Sequence, residues 1–174
     1  MIWRLSHRFD RAALPLADRH YNRQTPGSPQ FAPPGRCLVL MAGTKALWVT
    51  SWPFAEYTSH AWAGAWGNSL FRNEGAGLSS SLIRQAVAAT RWKYGAPPAL
   101  GMVTFVDRAK VRSKRDPGYC YQCAGFRVVG KTAKRGFVAL QLLPDAMPEP
   151  EAPLGASLRL FSPTTAATPG SDAR

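Results

Sequence analysis

The chain has 174 residues, 45% of them hydrophobic and 18% charged, a balance that suits one folded domain and excludes a disordered polyelectrolyte. Its 22 Lys and Arg against 10 Asp and Glu give a net charge of +12, which favours a polyanionic partner such as DNA, RNA or a phosphorylated cofactor. Cysteines at 37, 120 and 123 make no disulfide framework, and no apolar run reaches the roughly 18 residues of a membrane helix, so the expectation is a cytoplasmic protein with no membrane association.

In chain order, residues 10–20 (DRAALPLADRH) predict a short helix at Pro15, followed by a Pro/Gly-rich connection over 24–36. Residues 37–52 read as two apolar strands around a Gly-Thr-Lys turn, a hairpin. Aromatic residues at 57, 62 and 66 suggest a further strand, bent at its glycines. Leu78, Leu82, Ala86 and Ala89, widened by Ile83 and Val87, recur at helical spacing, and this helix should stop at Gly95 ahead of Pro97 and Pro98. The nearly continuous apolar run ALGMVTFVD (99–107) has the pattern of a strand buried on both faces. A basic loop over 108–118 leads to a short helix and a closing pair of strands. Proline, alanine and threonine then dominate, predicting a disordered tail over 146–174. The expected organisation is an N-terminal helix and connection (1–36), a single α/β (α+β) catalytic domain (37–145) and the tail, with no internal repeats.

Two segments carry possible chemistry. Arg72-Asn73-Glu74-Gly75-Ala76-Gly77 stands just ahead of the long helix. There Gly75 and Gly77 let the backbone approach an anion, and the helix start supplies N–H groups and a positive dipole. Arg72 and Ser79 are candidates to contact that anion, although Ser79 also suits a helix cap and the glycines also suit a plain strand-to-helix turn. The segment resembles the Arg/Gln-x-x-Gly-x-Gly/Ala pattern of the GNAT acyltransferase superfamily, in which it cradles the pyrophosphate of acyl-coenzyme A. Further on, Tyr121-x-x-x-Gly125-Phe126-x-x-x-Gly130 resembles the Tyr-x-x-x-Gly-Phe-x-x-x-Gly segment near the end of GNAT domains. The likeness implies a GNAT-like fold, a central mixed sheet flanked by helices. It also implies that Tyr121 acts as general acid toward the leaving thiolate.

GNAT proteins commonly place an Asn shortly after the central strand; here that strand ends at Asp107 and a basic insertion follows. Arg108, Lys110, Arg112, Lys114 and Arg115 make five of eight residues basic. They form either a solvated charged loop or a set of phosphate contacts beside the active site. Asp107, Gly118-x-x-Tyr121-Gln122, Phe126 and Gly130-x-Thr132 resemble the Mom family of phage DNA-modification proteins, basic GNAT relatives that attach a carbamoylmethyl group to adenine N6. That resemblance implies double-stranded DNA as partner, with Arg23 and the 108–115 cations on the phosphates.

Adenine N6 is a poor nucleophile, so transfer to it needs a base or a positioned anion, for which Asp107 is the candidate. The acyl donor is either acyl-CoA (acetyl-CoA) or an activated glycine such as an aminoacyl-tRNA, which would make tRNA a second partner. His20 is a candidate base or an ordinary surface or core residue. Trp52, Trp62 and Trp66 either stack on an extruded base or pack the sheet. Cys120-x-x-Cys123 lacks a second ligand pair, and no metal is expected. Two other functions fit the same residues: an acyl-CoA-dependent N-acetyltransferase acting on a small-molecule or protein amine, and a non-catalytic nucleic-acid-binding protein.

Overall fold

Hairpin signals and one long amphipathic helix set the architecture. The computed structural model describes residues 1–58, 60–111 and 116–156. Strand β2 (Arg36–Ala42) turns through Gly43 to Lys45 into β3 (Ala46–Trp52), as the Gly-Thr-Lys signal predicts, and β3 pairs antiparallel with β4 (Trp66–Asn73). Helix α2 (Ser79–Tyr94) then crosses over to β5 (Met102–Val106), which lies parallel to β4. A short helix α3 (Tyr119–Cys123) precedes the hairpin of β6 (Arg127–Lys131) and β7 (Val138–Leu142). β7 inserts between β5 and β6, antiparallel to both. With β1 (Arg4–Ser6) on the outer edge of β2, the result is one α+β domain around a seven-stranded mixed sheet ordered β1-β2-β3-β4-β5-β7-β6.

Where α2 ends, Gly95 at φ +80° carries the chain out of the helix, as expected of a C-terminal glycine. Gly101, at φ +62°, sets the entry to β5: a Cβ there would stand 2.0 Å from the Leu142 carbonyl oxygen. Only glycine permits the close approach that seats β5 against β7.

Each face of the sheet has its own core. On one side α2 and α3 bury Leu82, Ile83, Val87 and Tyr121 against Trp48, Trp66, Met102 and Leu140. On the other, α1 (Leu14–Asp18) and the chain near Phe31 cover Val39, Leu47, Val49 and Leu70.

Three segments differ from the sequence expectation. The strand expected to run through the aromatics at 57, 62 and 66 begins only at Trp66; ahead of it Ala55–Tyr57 form a 3-10 turn, and Gly64, one of the glycines expected to bend the strand, lies in a turn instead. Residues 1–36 are built into the domain, through β1 in the sheet and through Leu16 and Ala17 of α1 in the second core. β1 eluded pattern reading because it has only three residues and little burial. Residues 147–156, expected in the disordered tail, run back across the domain. Glu151 N–H donates to the Ala88 carbonyl, Leu154 N–H donates to the Trp3 carbonyl, and Met147 is buried. Its prolines suit this extended path, which is held from outside rather than by its own periodicity. Residues 157–174 of the expected tail lie outside the described residues. Among the described residues no helix is long and apolar enough to cross a membrane.

Candidate functional site

The parallel pair β4–β5 is joined over only three residue pairs, Trp66–Met102, Gly67–Val103 and Asn68–Thr104. Both strands then continue unpaired with each other, to Asn73 and Val106. A bulge adds to the divergence: Ser69 is the extra residue where the β3–β4 register shifts beyond Val49. A cleft of about 170 Å³ opens beyond the last paired residues, with Phe71, Ser79, Val106 and Tyr121 among its walls.

Asn68 holds the root of this cleft. Its amide Nδ2 donates to the carbonyls of Val49 (3.1 Å) and Leu70 (2.9 Å), satisfying both sides of the bulge. Its Oδ1 accepts from the Tyr121 hydroxyl at 2.6 Å and from Thr104 Oγ1 at 3.2 Å. All three side chains are buried, so the network fixes the tyrosine with no polar atom wasted. Burial pushes the Tyr121 phenol well above its ordinary pKa, and the nearby Cys120 adds to the shift. The group therefore stays protonated at neutral pH. Phe71 and Phe126 pack edge-on against its ring.

The turn ahead of α2 is organised by Asn73, which sequence reading passed over. Its Oδ1 accepts from the backbone N–H of Gly75 (3.2 Å) and Ala76 (2.9 Å), while Nδ2 donates to the Gly77 carbonyl (2.8 Å) and Ser79 Oγ (2.9 Å). An Asn two residues before a glycine is the available sequence signal. No side chain caps the first turn of α2, which leaves its backbone donors for an anion. Gly75 and Gly77, both at positive φ, stand in this turn with open space at their Cβ positions.

Arg72 lines the cleft but its guanidinium is held by the protein. It donates to Glu74 at 2.8 Å and to the Arg19 carbonyl at 2.9 Å, and Arg19 makes a second, bidentate contact with Glu74. These two arginines, Arg19 foremost, hold the Glu74 carboxyl at about 2, below the usual range. The cluster ties the chain after α1 to the turn after β4. An arginine–carboxylate pair separated by 55 residues has no signature in sequence.

His20, a candidate base from the sequence, is placed at the site by the fold. It lines the cleft and also a larger pocket of about 510 Å³ between the 22–33 segment and the β6–β7 turn. Its ring stacks on Tyr21, with centroids 4.5 Å apart. Burial, then the charges of Arg72 and Lys110, lower its pKa to about 4, so the imidazole is neutral at physiological pH. Nδ1 accepts the Asn22 N–H at 3.3 Å, which leaves Nε2 as the protonated, donating nitrogen.

The remaining expected site residues are dispersed. The Asp107 carboxylate accepts the Ala109 N–H at 2.9 Å and closes the turn after β5; Asp107 is not among the residues that line the cleft. Lys110 donates to the Tyr21 carbonyl at 2.9 Å, and Arg108 sits beside Lys131 at a separate depression. Arg23, expected on the nucleic-acid surface, is committed instead to Asp18 and to the carbonyls of Ser28 and Gln30. Reaching for a phosphate would cost it all three. Arg112, Lys114 and Arg115 lie outside the described residues. Trp66 is wholly buried and packs with Trp52 and Tyr94; Trp62 packs on Phe105. Cys120 and Cys123 form no disulfide, and no group of metal-ligating side chains occurs among the described residues.

Comparison with protein-family models, with curated proteins and with solved structures gives no match to this chain.

Proposed function

We propose that this protein is a GNAT-like acyltransferase that modifies DNA on the exocyclic amine of adenine, in the manner of the Mom family. The observation that carries the reading is the β4–β5 pair that parts after three residue pairs, with a buried tyrosine on one side of the gap and an uncapped helix start on the other. A donor running through such a gap meets backbone N–H groups at its phosphates and a protonated phenol near its reacting carbon.

In this reading the adenine N6 lone pair attacks the acyl carbon and forms a C–N bond. The bond from that carbon to the thiol sulfur of acyl-CoA, or to the ribose oxygen of an aminoacyl-tRNA, breaks. Tyr121 turns its one hydroxyl proton from Asn68 Oδ1 to the departing atom and is reprotonated from water. The proton lost from nitrogen passes to water, since the tetrahedral adduct makes that nitrogen strongly acidic. Nε2–H of His20 is a hydrogen-bond donor for the acyl oxygen as negative charge develops there. This is a different role from the base at the amine expected of Asp107, whose carboxylate accepts a hydrogen bond in its own turn. Net charge of +12 and the cations of the 108–115 loop and the β6–β7 turn support a nucleic-acid acceptor.

Mass spectrometry of nucleosides from DNA of cells expressing the protein tests the reading. A heavier deoxyadenosine is expected with the wild type and is lost, by about 100-fold or more, with Tyr121→Phe. Acetyl-CoA binding with no new nucleoside would move the acceptor to a small-molecule or protein amine. Salt-sensitive DNA binding with neither would leave a non-catalytic nucleic-acid-binding protein.

A further inference from the structure

We propose that the 510 Å³ pocket behind His20 is a binding site for an adenine nucleotide, the acceptor extruded from DNA, with Asn22 and Gln24 reading the base edge and Arg135 taking a phosphate. The volume falls in the range of about 300–1,000 Å³ that ligand pockets occupy. Its walls combine what a base and its phosphate need. Phe31 and Phe137 supply aromatic surface for a planar ring, and no carboxylate lines the pocket among the described residues.

The polar groups separate into two kinds. Arg23 and Gln30 are bound into the fold, the first through Asp18 and the second through the Ala32 carbonyl. The Asn22 and Gln24 side-chain amides, in contrast, make no hydrogen bond among the described residues. An amide side chain pairs in bidentate fashion with adenine N6 and N7, donating to the ring nitrogen and accepting from the amine. Arg135 lies over Phe137, 5.8 Å from the ring centroid, on the turn that also carries Lys134 and follows Lys131 at the end of β6. It marks the phosphate end.

Position makes the pocket part of the transfer site. His20 is common to its wall and to the wall of the β4–β5 cleft, so an amine in the pocket and a donor in the cleft approach the same imidazole, and its rotation about χ1 would bring the two together. This acceptor role rests on the function proposed above, whereas the nucleotide site itself does not. Adenine occurs both in DNA and in coenzyme A, and the two sources are separable by experiment.

Titration calorimetry of the full chain with dAMP and, separately, with coenzyme A tests the proposal. The variants are the double substitution Asn22→Ala/Gln24→Ala and the single substitution Arg135→Ala. Saturable dAMP binding is expected for the wild type, weakened about tenfold or more in the double variant, with coenzyme A binding unchanged. A duplex carrying 2-aminopurine should brighten on binding wild type and stay dark with the double variant. Equal dAMP affinity in all three proteins, or no saturation up to about 5 mM, overturns the site. Loss of coenzyme A affinity in the double variant overturns the acceptor assignment and gives the pocket to the donor. Because these readouts are binding, they stand even where no modified nucleoside forms, and that result alone would count against the transfer reaction.

Discussion

On one face of the sheet a 16-residue helix and its short companion α3 bury large side chains, among them Trp48, Trp66, Ile83 and Met102, to complete exclusion of water. On the opposite face the cover is a five-residue helix and a Pro/Gly-rich chain, and beside it lies the 510 Å³ pocket. The same strands serve both. A long helix presents a continuous apolar stripe that leaves no gap, whereas an irregular chain held by ion pairs and carbonyl contacts can stand away from the sheet and enclose space. Packing strength and binding capacity are therefore assigned to different sides, and His20 lines both the pocket and the cleft at the parting of β4 and β5.

Substitutions sharpen this contrast. Trp66→Ala removes a fully buried indole from the helix-covered core and should cost about 4 kcal/mol in chemical denaturation. Leu16→Ala, under α1, should cost about 2 kcal/mol, because the thinner cover relaxes into the space left behind. Equal losses would show that the two faces are packed alike.

His20 gives an effect of intermediate size, readable through pH. Its folded pKa of about 4 lies below the ordinary 6.5, so between these values the unfolded chain takes up a proton that the folded one refuses. Stability is therefore whole above pH 6.5 and declines as pH falls toward 4, by about 3 kcal/mol in all. His20→Gln should flatten that part of the profile; a variant with the wild-type slope would place the acid sensitivity elsewhere.

The smallest change belongs to the surface clamp. Glu74→Gln leaves hydrogen bonds to Arg19 and Arg72 through Oε1 but removes their charge partner at a partly exposed position. Melting temperature should be indistinguishable from wild type at physiological salt. A large drop would show that the clamp holds the two faces in register.

Much of this architecture was legible in sequence, because periodicity reports burial. The apolar repeat from Leu82 to Ala89 placed α2, two apolar runs around a Gly-Thr-Lys turn placed the β2–β3 hairpin, and the apolar run ending at Val106 placed β5. Partners distant in the chain were not legible. Asn68 acts through Tyr121, 53 residues on, and its role depends on a bulge that no residue pattern announces. The basic residues divide similarly: a charge count cannot tell Arg23, consumed by Asp18 and two carbonyls, from Arg135 at a pocket mouth. The strap over 147–156 was misread because composition describes what a segment does alone, and this one is held by Trp3 and Ala88.

The single parallel contact of β4 with β5 also governs the order of assembly. Strands β2, β3 and β4 pair through neighbouring turns and are complete once residue 73 has been made. The outer edge of β4 then stays open until α2 has been synthesised and Met102 arrives at Trp66, 36 residues later in the chain. A chain cut between α2 and β5 would present that edge, with its row of unmet backbone donors and acceptors, to any other strand. The parting of strands that makes room for a ligand in the finished protein is thus, during its making, the place most exposed to the wrong neighbour.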